Sequence, residues 1–402
     1  MARPSRVCRV VVTGPLAPFV DQYREKLEQR GYTRLSAVNL QRQMAQMSRW
    51  LEAEGLGVEQ LSEARVEAFL GFQRASGRGR SSSRPGLQCL VELLRELGVV
   101  AAAVEPTPSP TEALMESFRR YLLSERGLSA GTVRGYVDRA TRFVAGLAPG
   151  VLGHVTSAEV TTAVLRESVA VSVSAAQNFV AGLRAFLRFC FIEGLIEVDL
   201  SQAALAVTGR RRSSLPRGIA KGEAAKLLGS CDRRTAIGRR DYALIITLLR
   251  LGLRRGEVAA IRLTDIDWRA GELIVAGKGA RRDRLPLPAD VGAAIAAYLT
   301  RGRPASDHRE VFLAARAPFE PIAAGTVAST VRRACRRAGV AEVGSHRLRH
   351  TVACEMVAAQ VPLTQIAQVL RHRSLQSTAI YARVDLDRLR LLAQPWPGGG
   401  SR

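Results

Sequence analysis

Residues 344–383 hold the side chains best suited to chemistry on a phosphate group. The stretch contains three of the five histidines in the chain, and one pattern, His-x-Leu-Arg-His, includes His346 and Arg349. A second pattern places Tyr381 nine residues after His372. An arginine fork binds two phosphate oxygens, and a histidine donates to phosphate or takes a proton near neutral pH. A tyrosine hydroxyl needs such neighbours to become a nucleophile. The set therefore predicts attack by Tyr381 on a phosphodiester.

Two helices are expected to position these side chains. Apolar residues recur at helical spacing on both sides of Pro362, and proline suits the first turn of a helix. This apolar set consists of Val352, Met356, Val357, Leu363, Ile366, Val369 and Leu370. Taken singly, each polar residue also fits a basic, solvated helix pair with one packed tyrosine. The ordered set as a whole is what indicates a catalytic site.

Two upstream segments add further cations in a fixed order. The segment 251–257 closes one helix and opens another, and it contains Arg254, Arg255 and Glu257. Short strands are then expected at residues 266–268, 272–276 and 284–287, with Lys278 between two glycines on the second turn. A lysine at such a turn can enter a DNA groove, although an exposed turn lysine is common.

This ordered set resembles the tyrosine recombinase (phage integrase) family, which includes the Xer-type resolvases. The family motifs are an upstream Arg, a Lys on a β-turn, His-x-x-Arg, a second His or Trp, and the nucleophilic Tyr. The resemblance assigns catalytic roles to Arg254, Lys278, His346, Arg349, His372 and Tyr381. It also makes Glu257 a buried partner that orients the site, and it alone separates Arg254 from Arg255.

The chain departs from the family at one position beside the second histidine. The family usually has Leu-Gly-His there, whereas this chain has Leu370, Arg371 and His372. A glycine permits a tight turn or a close approach of DNA, so Arg371 is expected to change the local geometry. No catalytic residue of the family is missing from the sequence.

The resemblance implies a specific mechanism. Arg254 and Arg349 clamp the scissile phosphate, Tyr381 forms a 3′-phosphotyrosyl link, and Lys278 protonates the departing 5′-oxygen. His346 assists as base or phosphate ligand, and His372 donates to a phosphate oxygen. The phosphotyrosyl link conserves the energy of the cleaved phosphodiester bond, so no cofactor is expected. No carboxylate cluster of metal-binding type occurs in the sequence. The expected acting unit is a homotetramer on two DNA duplexes, formed from free monomers or dimers, with a partner recombinase as an option.

Composition supports a nucleic-acid partner. The 402 residues carry 59 Lys+Arg against 36 Asp+Glu, a formal net charge of +23, which predicts double-stranded DNA as the partner. The abundance of arginine alone is weak evidence for such a partner, because it is typical of a high-GC coding bias. Six scattered cysteines form no metal pattern and predict reduced thiols. Because neither a signal peptide nor a membrane span is recognisable, we expect a cytoplasmic, nucleoid-associated protein.

The first half of the chain is interpreted as an internal repeat, with chance similarity between two alanine-rich helical regions as the alternative. Arg30-Gly31 recurs as Arg126-Gly127, and Gly98 recurs as Gly194, each at an offset of 96 residues. The expected fold is mainly α, with two SAM-like helical bundles before an α+β catalytic domain that contains a small antiparallel sheet. The expected segments are a basic lead (1–14), a first helical domain (15–100), a linker (101–112), a core-binding domain (113–207), a basic linker (208–218), a catalytic domain (219–392) and a tail (393–402).

Further basic residues are candidates for contact with DNA. They are Arg210, Arg211 and Arg212 in the second linker, together with Arg255 and Arg371. The added N-terminal domain favours a mobile-element integrase or transposase over a housekeeping resolvase. Two alternatives are a type IB topoisomerase, which shares the residue set, and a non-catalytic architectural DNA-binding protein. The first helical domain could bind adjacent DNA, separate arm-type sites or another protomer.

Overall fold

The computed structural model describes residues 10–77, 84–101, 108–148, 150–209, 218–277, 282–371 and 378. The chain divides into two compact units. One unit is Ala103–Ser213, and the other combines Met1–Ala102 with Ser214–Arg402. Lys278, His372 and Tyr381 lie outside the described residues, as do the arginines at 210–212 and the predicted tail.

Four helices form the first bundle, and an apolar core joins them. The helices are α1 (Val20–Gln29), α2 (Arg34–Ala53), α3 (Glu63–Ala75) and α4 (Arg84–Glu96). α2 lies at the centre, since its apolar residues are buried over most of its length and it packs against α1 and α4. The core includes Tyr23, Leu27, Met44, Trp50, Phe69, Leu90 and Leu94.

The second unit is also a four-helix bundle. Its helices are α5 (Pro110–Ser124), α6 (Ala130–Ala145), α7 (Ser157–Ala170) and α8 (Val173–Ile192). Phe118 is fully buried and packs against Phe186 and Phe189, with ring centroids 5.2 Å apart in both pairs. Such aromatic contacts add to the stability supplied by buried area.

The start of α5 falls within the segment 101–112, for which the sequence predicts a linker. The helix begins at Pro110, inside that range. Ser109 Oγ accepts from the Glu112 backbone N–H at 3.2 Å, and the Glu112 carboxylate accepts from the Ser109 N–H at 2.8 Å. This reciprocal pair is a capping box with proline at the first helical position, so a proline-rich stretch can start a helix.

Corresponding positions of the two bundles share backbone features. Gly31 and Gly127 both have positive φ, at +76° and +55°, and so do Gly98 and Gly194, at +71° and +70°. Each pair is separated by the predicted offset and lies just beyond a helix end, where a left-handed residue terminates a helix. That the bundles are copies of one domain, with the boundaries given above, stays a prediction.

Residues from 218 onward contain seven described helices and one small sheet. The helices are α9 (Lys221–Gly229), α10 (Ala236–Leu251), α11 (Arg255–Ala259), α12 (Ala289–Arg301), α13 (Ala324–Ala338), α14 (Ser345–Ala358) and α15 (Leu363–Val369). α10 is buried along most of its length and packs against α12 and α14. Pro362 precedes α15 as its N-cap residue instead of lying in its first turn.

The sheet is antiparallel, with order β1-β2-β3. Its strands are β1 (Ile266–Asp267), β2 (Glu272–Ala276) and β3 (Arg282–Pro286). β3 begins two residues before the predicted 284, because Ala276 pairs with Arg282 and Val275 with Asp283. The prediction of a mainly helical chain with one small antiparallel sheet is confirmed.

Two further observations bear on the composition. Within the described ranges, no helix combines the length and the apolar character that crossing a membrane requires. Cys89, Cys190, Cys231 and Cys335 are free and buried, and Cys354 is partly buried. These four buried thiols pack as small apolar side chains.

Candidate active site

The end of α10 builds one wall of the candidate site. Gly252 terminates the helix in the left-handed region, at φ +57°. A Cβ atom at this glycine would lie 2.9 Å from Leu370 Cδ2, so a larger residue would be both strained and crowded. The glycine thus lets the chain reverse, so that Arg254 directly precedes α11.

Glu257 fixes Arg254 in place. The Glu257 carboxylate accepts from the Arg254 backbone N–H at 2.7 Å and from Arg254 Nη1 at 2.7 Å. Glu257 is only 8% exposed, whereas the Arg254 side chain is 45% exposed. The buried carboxylate therefore caps α11 and holds the guanidinium at the same time, with part of the guanidinium facing solvent.

Arg349 lies on α14 and is almost completely buried, at 1% exposure. Its Nη1 donates to the Gly252 carbonyl at 2.6 Å, and its Nη2 donates to the Leu370 carbonyl. These two carbonyls stand at the C-terminal ends of α10 and α15. Helix C-termini have unsatisfied carbonyls and a partial negative charge, which favours a cation there.

The two arginines meet at one short backbone segment. Arg254 Nη2 donates to the Arg371 carbonyl at 3.3 Å, next to the Leu370 carbonyl that binds Arg349. Both guanidinium groups therefore converge on the residues that immediately precede His372 in the sequence. The partly exposed guanidinium of Arg254 can bind phosphate oxygens, and the buried Arg349 adds positive charge beside it.

His346 lies in the first turn of α14, and its ring meets that of His350 edge to face, with centroids 4.4 Å apart. Burial lowers the pKa of His346, and the charges of Arg349, Arg254 and Arg255 lower it further. Burial, with the neighbouring His346 and nearby arginines, lowers the pKa of His350 to about 4. Both imidazoles are therefore neutral at pH 7, so His346 can accept a proton there.

Arg371 adopts a left-handed backbone conformation, with φ +52°. Its side chain is 7% exposed, and its Nη2 donates to the Glu257 carboxylate at 2.5 Å. Its Nε lies 3.8 Å from Asp283 Oδ2. Burial lowers the pKa of Arg371, while Glu257 opposes that shift. For a residue other than glycine, this conformation costs roughly 1–2 kcal/mol.

The structure brings five of the predicted residues together: Arg254, Glu257, His346, Arg349 and Arg371. Arg255 is exposed in α11, and its charge acts on the pKa of His346. The strands that flank Lys278 pair at their ends, but Lys278 itself, His372 and Tyr381 lie outside the described residues. The same is true of Arg210, Arg211 and Arg212. Their roles stay predictions.

Three contributors received no role from the sequence: Gly252, Asp283 and His350, although His350 ends the His-x-Leu-Arg-His pattern. The glycine has a local signal, because it directly follows an apolar helix. The contact of Asp283 with Arg371 spans 88 positions, so no sequence spacing predicts it. Within the described ranges, no cluster of three or more His, Cys, Asp or Glu side chains suits a metal ion.

Comparison with known proteins decides the family. The phage integrase family model matches residues 218–388, and the family's N-terminal SAM-like domain model matches residues 115–194. A putative integrase/recombinase, y4rA, of Sinorhizobium fredii (strain NBRC 101917 / NGR234) is 38% identical over 393 residues, covering 96% of this chain and 95% of that protein. The chain belongs to the phage integrase family.

Two further comparisons support membership of the phage integrase family. Tyrosine recombinase XerC of Pelobacter propionicus (strain DSM 2379 / NBRC 103807 / OttBd1) is 30% identical over 286 residues, covering 70% of this chain and 93% of that protein. The structure of the XerH site-specific recombinase in its post-cleavage complex with a palindromic difH substrate has the same fold, with a TM-score of 0.56 at 18% identity. It covers 73% of this chain and 99% of that one. The protein is therefore a tyrosine recombinase enzyme.

The Glu257 contacts generate a stability prediction. We expect Glu257→Ala to lower the free energy of unfolding by about 3 kcal/mol, because it leaves the buried Arg371 guanidinium without its carboxylate. The matched control is Glu342→Ala, which removes an exposed ion pair with Arg336 at 2.9 Å. Its expected cost is below about 1 kcal/mol. Urea denaturation measures both, and equal losses would contradict the role of Glu257.

The histidine pair generates a prediction of pH dependence. Since the pKa of His350 is about 4 in the folded chain and about 6.5 when unfolded, the unfolded state takes up a proton first as the pH falls. The contribution of neutral His350 to the free energy of unfolding is fully present above pH 6.5 and is lost as the pH falls toward 4. His350→Gln should flatten the decline in unfolding free energy between about pH 6.5 and 5. His154→Gln, at an exposed histidine, is the control, and parallel declines in wild type and His350→Gln would refute the assignment.

Proposed function

We propose that this recombinase cleaves and rejoins DNA strands at specific sites through a covalent 3′-phosphotyrosyl intermediate. The observation that carries the proposal is the convergence of the Arg254 and Arg349 guanidinium groups on the backbone of Leu370 and Arg371. That backbone leads directly into His372, and Tyr381 follows nine residues later. A phosphate bound at the two arginines would therefore lie beside a segment that is close in the sequence to the proposed nucleophile.

In the proposed reaction, the Tyr381 hydroxyl oxygen attacks the phosphorus while the bond from phosphorus to the 5′-oxygen breaks. Arg254 and Arg349 stabilise the negative charge that grows on the non-bridging oxygens. Neutral His346 can receive the tyrosine proton, Lys278 protonates the departing 5′-oxygen, and His372 donates to a phosphate oxygen.

Reversal of this step by a new 5′-hydroxyl rejoins the strand. The number of phosphoester bonds is unchanged by each step, so the reaction needs no external energy source. Glu257 takes no part in proton transfer in this scheme, because its carboxylate is buried and engaged by Arg254 and Arg371. Its role is to position the arginines.

We further propose that the protein acts as a homotetramer on two duplex sites and serves a mobile element as integrase or transposase. The similarity to a protein named a putative integrase/recombinase along nearly the whole chain supports the role as an integrase. The match of the SAM-like model to residues 115–194 supports a DNA-gripping role for the second bundle. A cytoplasmic, nucleoid-associated location follows from such a substrate.

A suicide substrate tests the proposal. The probe is a nicked duplex made from the terminal sequence of the element that carries the gene, so that the cleaved end diffuses away and traps the intermediate. We expect wild-type protein to form a covalent protein–DNA adduct and Tyr381→Phe to form none, because phenylalanine has no nucleophilic oxygen. Adducts are separated from free protein by denaturing electrophoresis.

The control is Tyr242→Phe, which removes a hydroxyl from a partly buried tyrosine of the same domain. It should form adduct as wild type does. An adduct with Tyr381→Phe would exclude Tyr381 as nucleophile. Tight binding without adduct from the wild type would favour the architectural alternative.

A further inference from the structure

Arg371 occupies a backbone conformation that usually belongs to glycine. Within the described residues, Gln360 is the other non-glycine residue with positive φ, at +59°. The family resemblance places a glycine at position 371, and glycine adopts this conformation without strain. An arginine there persists when its side chain makes interactions that outweigh the strain.

The Arg371 side chain connects two parts of the catalytic domain. Its Nη2 donates to Glu257 Oε2 at 2.5 Å on α11, and its Nε lies 3.8 Å from Asp283 Oδ2 on β3. The first contact is a charge-assisted hydrogen bond. The second is a longer electrostatic attraction, which the burial of the guanidinium strengthens because water screens it less.

Arg371 also contributes to both of the contacts that hold the Arg254 guanidinium. It shares the Glu257 carboxylate with Arg254, and its carbonyl accepts from Arg254 Nη2 at 3.3 Å. A change at position 371 therefore alters the surroundings of the carboxylate that orients Arg254. A glycine would keep the backbone carbonyl that accepts from Arg254, but the Glu257 carboxylate would then pair with Arg254 and no longer with a second guanidinium.

The other end of the connection is the β2–β3 hairpin. Asp283 pairs with Val275 in the ladder, and the hairpin carries Lys278 between its strands in the sequence. In the described part of the chain, Arg371 Nε and Nη1 have no hydrogen-bond partner. Nε therefore makes no competing hydrogen bond, and the Asp283 carboxylate lies 3.8 Å from it.

We propose that Arg371 is a positioning residue that ties the β2–β3 hairpin to the Glu257–Arg254 pair. The inference rests on the proposed function for its catalytic consequence. In this chain, the cation at position 371 couples the placement of the hairpin, with its candidate general acid, to the placement of the phosphate-binding arginine. A family member with glycine at this position has no side chain there to make the connection.

The first test measures hydrogen exchange in the full-length protein without DNA. We expect Arg371→Gly and Asp283→Asn each to accelerate amide exchange in peptides covering residues 272–286 by about threefold or more, because each removes one end of the connection. Gln360→Gly controls for relief of left-handed strain. Glu342→Gln controls for loss of a carboxylate, because Glu342 pairs with the exposed Arg336 outside the hairpin. Neither control should change exchange in the hairpin.

The second test measures the rate of adduct formation on the nicked duplex at saturating protein. We expect Arg371→Gly to slow the reaction about fivefold to tenfold and Asp283→Asn to slow it less. The double variant should be no slower than Arg371→Gly, within about twofold, because the two residues act through one contact. Arg371→Lys keeps the charge and should recover part of the rate.

The outcomes separate the two proposals. Unchanged hairpin exchange in Arg371→Gly would overturn the inference, whatever the catalytic result. Additive losses in the double variant would also overturn it, since they would mean that Arg371 acts independently of Asp283, as a direct DNA ligand would. Absence of any wild-type adduct would count against the proposed function, while the exchange experiment would still decide the connection through Arg371.

Discussion

Guanidinium groups that repel one another are held close together in this catalytic domain, and the rest of the site depends on how that is achieved. The buried carboxylate of Glu257 binds Arg254 and Arg371. Arg349 is held instead by carbonyls where α10 and α15 end. One carboxylate shared by two guanidinium groups leaves a net positive charge in a partly buried site, and such a charge favours an anion such as the phosphate of the proposed reaction.

This arrangement links the fold to the proposed chemistry. α10 must end at Gly252, because the same turn supplies a carbonyl to Arg349 and starts the segment with Arg254. The arginine charges also help to keep His346 neutral, which leaves it able to accept a proton at pH 7. In the proposed reaction, one cluster of arginines thus stabilises the charge on the phosphate and keeps the candidate base His346 neutral.

The sequence predicted the helical character and the small sheet, because these depend on local periodicity. Motif order made Arg254 and Arg349 candidates, and the structure brings them together, but their catalytic roles stay predictions. The sequence did not predict that Arg371 is buried against Glu257 and Asp283, since that contact depends on tertiary packing of distant segments. Proline richness between 101 and 112 favours a linker, but Ser109 and Glu112 form a capping box that starts α5 at Pro110.

The most direct test of the account replaces the scissile phosphate with a neutral methylphosphonate and compares wild type with Arg254→Ala. If Arg254 acts by neutralising charge, its loss should slow adduct formation at least about a hundredfold on the phosphate but less than about tenfold on the methylphosphonate, which lacks that charge. Equal slowing on both substrates would contradict the central claim, because Arg254 would then act in some way other than by stabilising negative charge.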